Sequence, residues 1–153
     1  MARILPSALV FLLVSVSAVA AQVRIALPKR HYKSEEQIVG KLENKGPRSA
    51  TICVQFGQWS PKGTDIESTP SPFFAEKNRD GKWEILLNGP DIGSNRQPVE
   101  LEVGKSLEFP FRLNDHGTMR LRLDYWVGSR PKLDCSFPPK DVQHLRSITF
   151  SVE

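Results

Sequence analysis

The chain has 153 residues, of which 25% are charged and 39% hydrophobic, with a formal net charge of +4. Acidic and basic residues are interspersed along the sequence, and no run of five or more basic residues occurs. This pattern excludes the concentrated positive charge that a nucleic-acid footprint requires, so no nucleic-acid partner is predicted. The length is enough for one domain with its own hydrophobic core.

Residues 1–21 have the pattern of a secretory leader, with a basic start, an apolar run centred on residues 9–16 and small residues at the end. We expect cleavage after Ala20 or Ala21. The apolar run is shorter than the roughly 20 residues that a membrane-spanning helix needs. The mature chain, residues 22–153, is therefore predicted to be a single secreted domain, periplasmic or extracellular, without a membrane span. It keeps 20 Lys and Arg against 17 Asp and Glu.

The first predicted strands are short runs in which apolar and polar residues alternate. They cover Val23–Leu27, Gln37–Glu43 and Ala50–Phe56. The turn residues Asn44–Pro47 separate the last two runs and predict that these form a hairpin.

The middle of the chain predicts a second hairpin between two loops. Its arms are residues 73–77 and 82–87, and the turn Asn78–Gly81 contains Asp-Gly, a strong signal for a tight hairpin turn. Residues 58–72 and 88–97 are rich in Pro, Ser, Gly and Asn and are predicted to be loops.

Regular alternation is strongest in residues 99–127. Three runs each place their apolar side chains on one face: Val99–Val103, Leu107–Leu113 and Met119–Val127. Pro110 cannot donate a hydrogen bond within a sheet, which predicts an edge strand or a bulge at that position. A loop over residues 128–143 carries Cys135, and residues 148–152 form the last predicted strand.

Between seven and nine short strands without helices predict an all-β fold, an antiparallel sandwich of two sheets. In such a fold each strand buries one face. Half of the alternation in the sequence is therefore accounted for by the core, and the polar half remains to be explained.

Two cysteines in an exported chain favour a disulfide between Cys53 and Cys135, the alternative being two free thiols. The three histidines lie at no ligand spacing from one another or from the cysteines, so no metal site and no cofactor is predicted. Acidic residues in the loops, such as Asp65 and Glu67, match no calcium-loop spacing and are interpreted as solvated side chains.

No enzyme motif is present, neither a nucleophile elbow nor a zinc-protease or phosphate-binding sequence. Ser34, His144 and Asp141 supply the residue types of a catalytic triad, but any chain of this size contains such sets. We therefore predict that the protein is not an enzyme and has no catalytic residues.

The segment Asp115–Leu121 is similar to the D-x-G-x-Y-x-C corner of immunoglobulin domains, with Met119 in place of the tyrosine and Leu121 in place of the cysteine. The runs V-E-L-x-x-G-K-S-L-E-F and G-x-M-R-L-R-L-x-Y also resemble exported bacterial immunoglobulin-like or fibronectin type III-like domains. The resemblance implies an immunoglobulin-like sandwich and places Cys53 in the strand of the first family cysteine. Because the second family cysteine is absent, a bond from Cys53 to Cys135 would be peripheral.

The three tryptophans differ in their predicted positions. Trp83 lies on an apolar face and is assigned to the core, and Trp59 is assigned to a rim or lid at the start of a loop. Trp126 lies on the face of Arg120 and Arg122, where it either belongs to an exposed recognition surface or is buried by the loop that carries Cys135. The candidate binding surface comprises Arg120, Arg122, Trp126 and Trp59.

These observations favour an exported, non-catalytic immunoglobulin-like module that binds a protein or a glycan or serves in the cell envelope. The alternative is a small secreted peptidase inhibitor that presents a loop as a substrate mimic. The loops 58–72 and 128–143 are the candidates, and Cys135 within the second loop would help to hold it rigid.

Overall fold

The computed structural model describes residues 22–55, 71–86 and 96–153. Within these ranges the fold is all-β, and none of these residues belongs to a helix that could cross a bilayer. The strands are β1 (Val23–Ala26), β2 (His31–Tyr32), β3 (Ile38–Asn44), β4 (Ala50–Gln55), β5 (Phe73–Arg79), β6 (Lys82–Ile85), β7 (Arg96–Leu101), β8 (Ser106–Phe111), β9 (Gly117–Val127), β10 (Gln143–Arg146) and β11 (Phe150–Val152). The all-β prediction is confirmed, although β2 and β10 were not predicted.

The strands form two sheets, with the order β1-β3-β8 in the smaller and β2-β11-β9-β4-β7 in the larger. Strand β10 and the β5–β6 hairpin also join the larger sheet through β9. Strands β3 and β8 take the positions of immunoglobulin strands B and E, and β4, β9 and β11 those of C, F and G. The order also makes β8 an edge strand, as predicted from Pro110.

Strand β9 organises the larger sheet. One of its edges pairs with β10 and β11, and the other pairs with β4 and β5. Its inward residues Met119, Leu121 and Leu123 have no exposed surface and pack into one continuous core with side chains from both sheets. Arg120 and Arg122 lie on its outward face. The faces predicted from alternation are those observed in this strand.

The predicted hairpin between β3 and β4 is wrong, because these strands lie in different sheets. The buried side chain of Asn44 organises the crossing. Its Nδ2 donates to the carbonyl oxygens of Arg48, at 2.8 Å, and Leu101, at 2.9 Å. Its Oδ1 accepts from the backbone N–H of Gly46 at 3.0 Å. Asn44 thus forms hydrogen bonds with backbone groups where the chain crosses from one sheet to the other. These bonds also give the buried amide the partners that buried polar groups require.

The second predicted hairpin, β5–β6, is present. Asp80 and Gly81 both have positive φ, at 52° and 84°, as the two central residues of a type I′ turn require. The Asn78 side chain accepts a hydrogen bond from the Gly81 N–H at 2.9 Å. This turn fixes the register that brings β6 beside β5 on the larger sheet.

Candidate functional site

Trp126 is buried, with 2% of its surface exposed. Residues 128–142, which we call the disulfide loop, fold over it, and its Nε1–H donates to the Pro139 carbonyl oxygen at 3.3 Å. Leu133 and Val142 from the same loop pack against it. Of the two positions predicted for Trp126, the structure therefore shows the buried one. Its inclusion in the candidate binding surface is wrong.

Cys53 and Cys135 form a disulfide that attaches the disulfide loop to the outer side of β4. Thr51 reinforces this attachment, since its hydroxyl donates to the Gly128 carbonyl at 2.8 Å and accepts from the Arg130 N–H at 2.9 Å. Because β4 pairs with β9 in the same sheet, it occupies the position of immunoglobulin strand C. The assignment of Cys53 to the strand of the first family cysteine is therefore wrong.

Trp83 lies on the outer face of the larger sheet, so its assignment to the core is also wrong. It is paired with Asn78 of β5, on the same side of the sheet as Glu76. The guanidinium carbon of Arg120 lies 4.0 Å from the centroid of the Trp83 ring. Ile85, which shares its parity, is 44% exposed. The apolar side of β6 is thus covered in part by an arginine side chain and not by the opposite sheet.

The outer side of the larger sheet carries a cluster of charged and aromatic side chains from five strands, which we call the arginine–aromatic face. Its members are Phe74, Glu76, Trp83, Arg96, Arg120, Arg122, Asp124, His144 and Arg146. The alternation of each strand places them here, because the residues between them face the core.

Glu76 is the buried centre of one half of this face. Its side chain is 6% exposed and accepts from Arg120 Nε at 2.6 Å and from Arg146 Nε at 3.4 Å. Arg120 therefore contacts both a carboxylate and the ring of Trp83, an arrangement that holds its guanidinium in a fixed direction.

Phe74 is the centre of the other half. The guanidinium carbons of Arg96 and Arg122 lie 4.9 and 5.0 Å from the centroid of its ring. Arg122 also forms an ion pair with Asp124 at 3.1 Å. The Nε atoms of Arg96 and Arg122 are buried and have no hydrogen-bond partner among the described residues. Burial lowers the pKa of Arg96, and the charge of Asp124 partly opposes this shift.

His144 lies beside Asp124, with its Nδ1 2.8 Å from the carboxylate. Asp141 instead binds Arg130 through both oxygens, at 3.0 and 2.5 Å. His144 and Asp141 are thus not paired with each other, as the histidine and aspartate of a catalytic triad would be. Among the described residues of the arginine–aromatic face four arginines accompany two carboxylates, so these residues together carry an excess of positive charge.

Substituting Glu76 by glutamine is expected to lower the free energy of unfolding by about 2 kcal/mol, because it leaves the largely buried Arg120 without a carboxylate and also removes the ion pair with the exposed Arg146. Urea denaturation of the variant measures this change. Glu84→Gln is the matched control, since the Glu84 side chain is 55% exposed and its ion pair is with Arg79, whose side chain is 57% exposed. Equal losses in both variants would show that Glu76 is an ordinary surface carboxylate.

Other predicted positions lie outside the described residues. These include Trp59, the two carboxylates Asp65 and Glu67, and residues 1–21. Among the described residues no group of three or more His, Cys, Asp or Glu side chains is arranged to hold a metal ion.

No protein-family model matches the chain, and no curated protein matches its sequence. Among solved structures it is similar to an ASH/PapD-like domain of human CEP192, PapD-like domain 7, with a TM-score of 0.36 and 14% sequence identity. The superposition covers 99% of this chain and 96% of that domain. The similarity is too low to assign a role to this chain.

Proposed function

We propose that the protein is an exported, non-catalytic immunoglobulin-like module that binds an acidic partner protein through the arginine–aromatic face. The observation that carries the proposal is the pair of guanidinium groups of Arg96 and Arg122 against the ring of Phe74. Among the residues that the structure describes, Asp124 supplies the one carboxylate that accompanies this pair, so positive charge is left there for a partner to neutralise.

The composition of the face supports a protein partner. Arginine and tryptophan are enriched in protein–protein interfaces and dominate the binding energy there. The aromatic rings of Phe74 and Trp83 already contact arginines, so they are better suited to orient guanidinium groups than to stack against a sugar.

The rigidity of the face also supports binding. Its side chains project from strands and are restrained by ion pairs and ring contacts, so little side-chain entropy is lost when a partner binds. Fixed guanidinium groups suit carboxylates in particular, because each can donate two parallel hydrogen bonds. Export is supported by the leader pattern of residues 1–21 and is compatible with the disulfide.

The test measures binding to an immobilised glutamate-rich peptide. The double variant Arg96→Ala with Arg122→Ala is expected to bind about tenfold more weakly than the wild type, because it removes the paired guanidinium groups. The matched control, Arg48→Ala with Lys105→Ala, removes the same charge from exposed positions elsewhere. It is expected to change the affinity by no more than about twofold.

Equal losses in the two double variants would contradict the proposal, since they would show attraction to net charge alone. A polyuronate assayed in parallel distinguishes the partner classes. Tighter binding of the polyuronate than of the peptide, lost in the Arg96 and Arg122 variant, would replace the protein partner by an acidic glycan. Melting temperatures of all variants verify that each remains folded.

A further inference from the structure

A groove, which we call the inter-sheet groove, opens on one side of the sandwich, where the two sheets part. One wall is β1, the edge strand of the smaller sheet, and the other is β10 with the residues that follow it. Within the described ranges β1 pairs with β3 alone and β10 with β9 alone, so neither strand pairs across the opening. The inter-sheet groove has a volume of about 420 Å³, within the range of roughly 300–1,000 Å³ that is typical of small-molecule sites.

The apolar part of the lining is continuous with the core. Leu27, directly after β1, and Leu145 of β10 are partly buried and pack against the core cluster. Ile148 also lines the inter-sheet groove and is 44% exposed. Because these side chains come from both walls of an open groove, an apolar ligand lying between them removes apolar surface of both sheets from water.

Ser147 fixes the wall that carries Ile148. Its backbone N–H donates to the Leu121 carbonyl at 2.8 Å, and its hydroxyl accepts from the Leu121 N–H at 2.9 Å. The same hydroxyl donates to the Ile148 carbonyl at 2.7 Å. The segment after β10 is therefore attached to the middle of β9, so the inter-sheet groove is preformed and little ordering is needed when a ligand binds.

Three basic side chains accompany the apolar lining, and among the described residues that line the inter-sheet groove none is acidic: Arg24, Lys45 and Arg146. Arg24 and Lys45 share the carboxylate of Glu43, at 3.7 and 3.9 Å. Glu43 also pairs with Lys41, at the shorter distance of 3.3 Å. Arg146 pairs at 3.4 Å with Glu76, which binds Arg120 more closely, at 2.6 Å. The cations of the lining thus exceed the carboxylates beside them, which suits an anionic group.

Burial of the β1 backbone argues against a peptide as the occupant. A peptide strand added to a sheet edge binds through the free N–H and C=O groups of that edge. The Lys45 N–H donates to the Gln22 carbonyl, so in the alternating pattern of an antiparallel pair the groups of Val23 and Ile25 are the ones directed away from β3. Val23 has no exposed surface and Ile25 has 7%, so this edge offers a peptide little accessible backbone.

We infer that the inter-sheet groove binds a free fatty acid, a single long alkyl chain with a carboxylate head group. The chain lies against Leu27, Leu145 and Ile148, and the carboxylate, which is ionised at neutral pH, pairs with the basic side chains of the lining. A second copy of this chain suits the inter-sheet groove less well, because a symmetric contact brings the same basic side chains of both copies together. Arg96 and Arg122, on which the proposed function rests, do not line the inter-sheet groove, so the inference goes beyond that function.

The test is isothermal titration calorimetry of the mature protein with dodecanoate, below the concentration at which this amphiphile forms micelles. A dissociation constant below about 100 µM is expected. Decanoate, which is shorter by two methylene groups, should bind about tenfold more weakly, because each buried methylene group adds to the hydrophobic contribution. Dodecyltrimethylammonium has the same alkyl chain with a cationic head group, and it should bind at least about tenfold more weakly than dodecanoate.

One variant tests the apolar contact. Ile148→Ser should weaken dodecanoate binding by about tenfold, since it removes an apolar side chain that the alkyl chain covers. Val103→Ser is the matched control, because Val103 is 52% exposed and does not line the inter-sheet groove. The control should change the affinity by less than about twofold.

A double variant tests the charged contact. Arg24→Gln with Lys45→Gln should weaken dodecanoate binding by about tenfold, while the difference between dodecanoate and decanoate stays the same because the apolar contacts remain. The matched control is Arg79→Gln with Lys82→Gln, which removes the same charge from exposed positions at the β5–β6 turn. This control should leave the affinity within about twofold of the wild type.

Three results would overturn the inference. The first is the absence of dodecanoate binding, or equal binding of dodecyltrimethylammonium. The second is an equal loss in the control variants, which would place the binding elsewhere. The third is tighter binding to phosphatidylglycerol vesicles, lost in the same variants, which would replace the fatty acid by a membrane surface. The glutamate-rich peptide is titrated into the same variants, and its binding should not change, so that a failure here stays distinct from a failure of the proposed function.

Discussion

Replacing Leu121 by aspartate is expected to leave the protein unfolded. Leu121 has no exposed surface and lies in the middle of β9, in the core shared by both sheets. An aspartate there would bury a carboxylate without a partner, which costs several kcal/mol, in addition to the lost packing of the leucine. Since the whole stability of a domain is about 5–15 kcal/mol, this loss is enough to abolish folding.

Circular dichroism and the dispersion of amide proton resonances measure this outcome. Arg122→Ala is the control, because the adjacent residue faces away from the core and its loss should cost about 1 kcal/mol or less. Phe109→Asp provides a second test on the smaller sheet, where Phe109 is 8% exposed and packs edge-on against Phe73. A melting temperature of Phe109→Asp equal to that of the wild type would show that the assigned faces are inverted.

Removing the disulfide is expected to have the second largest effect. Cys53 and Cys135 are 82 positions apart, and closing a loop of that length stabilises the folded state by about 4 kcal/mol in the chain-entropy description. The double variant Cys53→Ser with Cys135→Ser should therefore unfold at a clearly lower urea concentration. Loss of the disulfide also changes the packing around Trp126, which lies against both cysteines.

Mass spectrometry under non-reducing conditions tests the bond itself. Protein recovered from its native compartment should contain no alkylatable thiol, and two alkylatable thiols would contradict the disulfide. Reduction of the wild-type protein should reproduce the urea midpoint of the double serine variant. A reduced protein as stable as the oxidised one would show that the disulfide loop is held by its other contacts alone.

The sequence predicts the buried faces well because alternation is a local property. In β9 the side-chain direction follows from counting residues, whatever the rest of the chain does. Membership in a sheet is different. The turn residues between β3 and β4 are equally compatible with a hairpin and with a crossing between sheets. The contact that accompanies the crossing, from Asn44 to the Leu101 carbonyl, joins positions 57 residues apart.

Part of the candidate site could also be predicted, because side-chain direction within one strand is a local property. Alternation correctly places Arg120 and Arg122 on the side of β9 that faces away from the core. It cannot show which outward side chains are then covered by another segment. Trp126 is covered by the disulfide loop, whereas Trp83 and Phe74 remain beside the arginines. Alternation also cannot show that the β5–β6 hairpin lies beside β9. The pairing of Glu76 with Arg120 follows from that neighbouring position.

The pairing of β9 with four other strands has a consequence for how the chain folds. Its partners β4, β5, β10 and β11 come from residues 50–55, 73–79, 143–146 and 150–152, on both sides of β9 in the sequence. No short segment of the chain contains this set, so loop-closure entropy must be overcome before the larger sheet is complete. Such a topology folds slowly, on the scale of about milliseconds to seconds, and during that time the larger sheet of the newly made chain is incomplete.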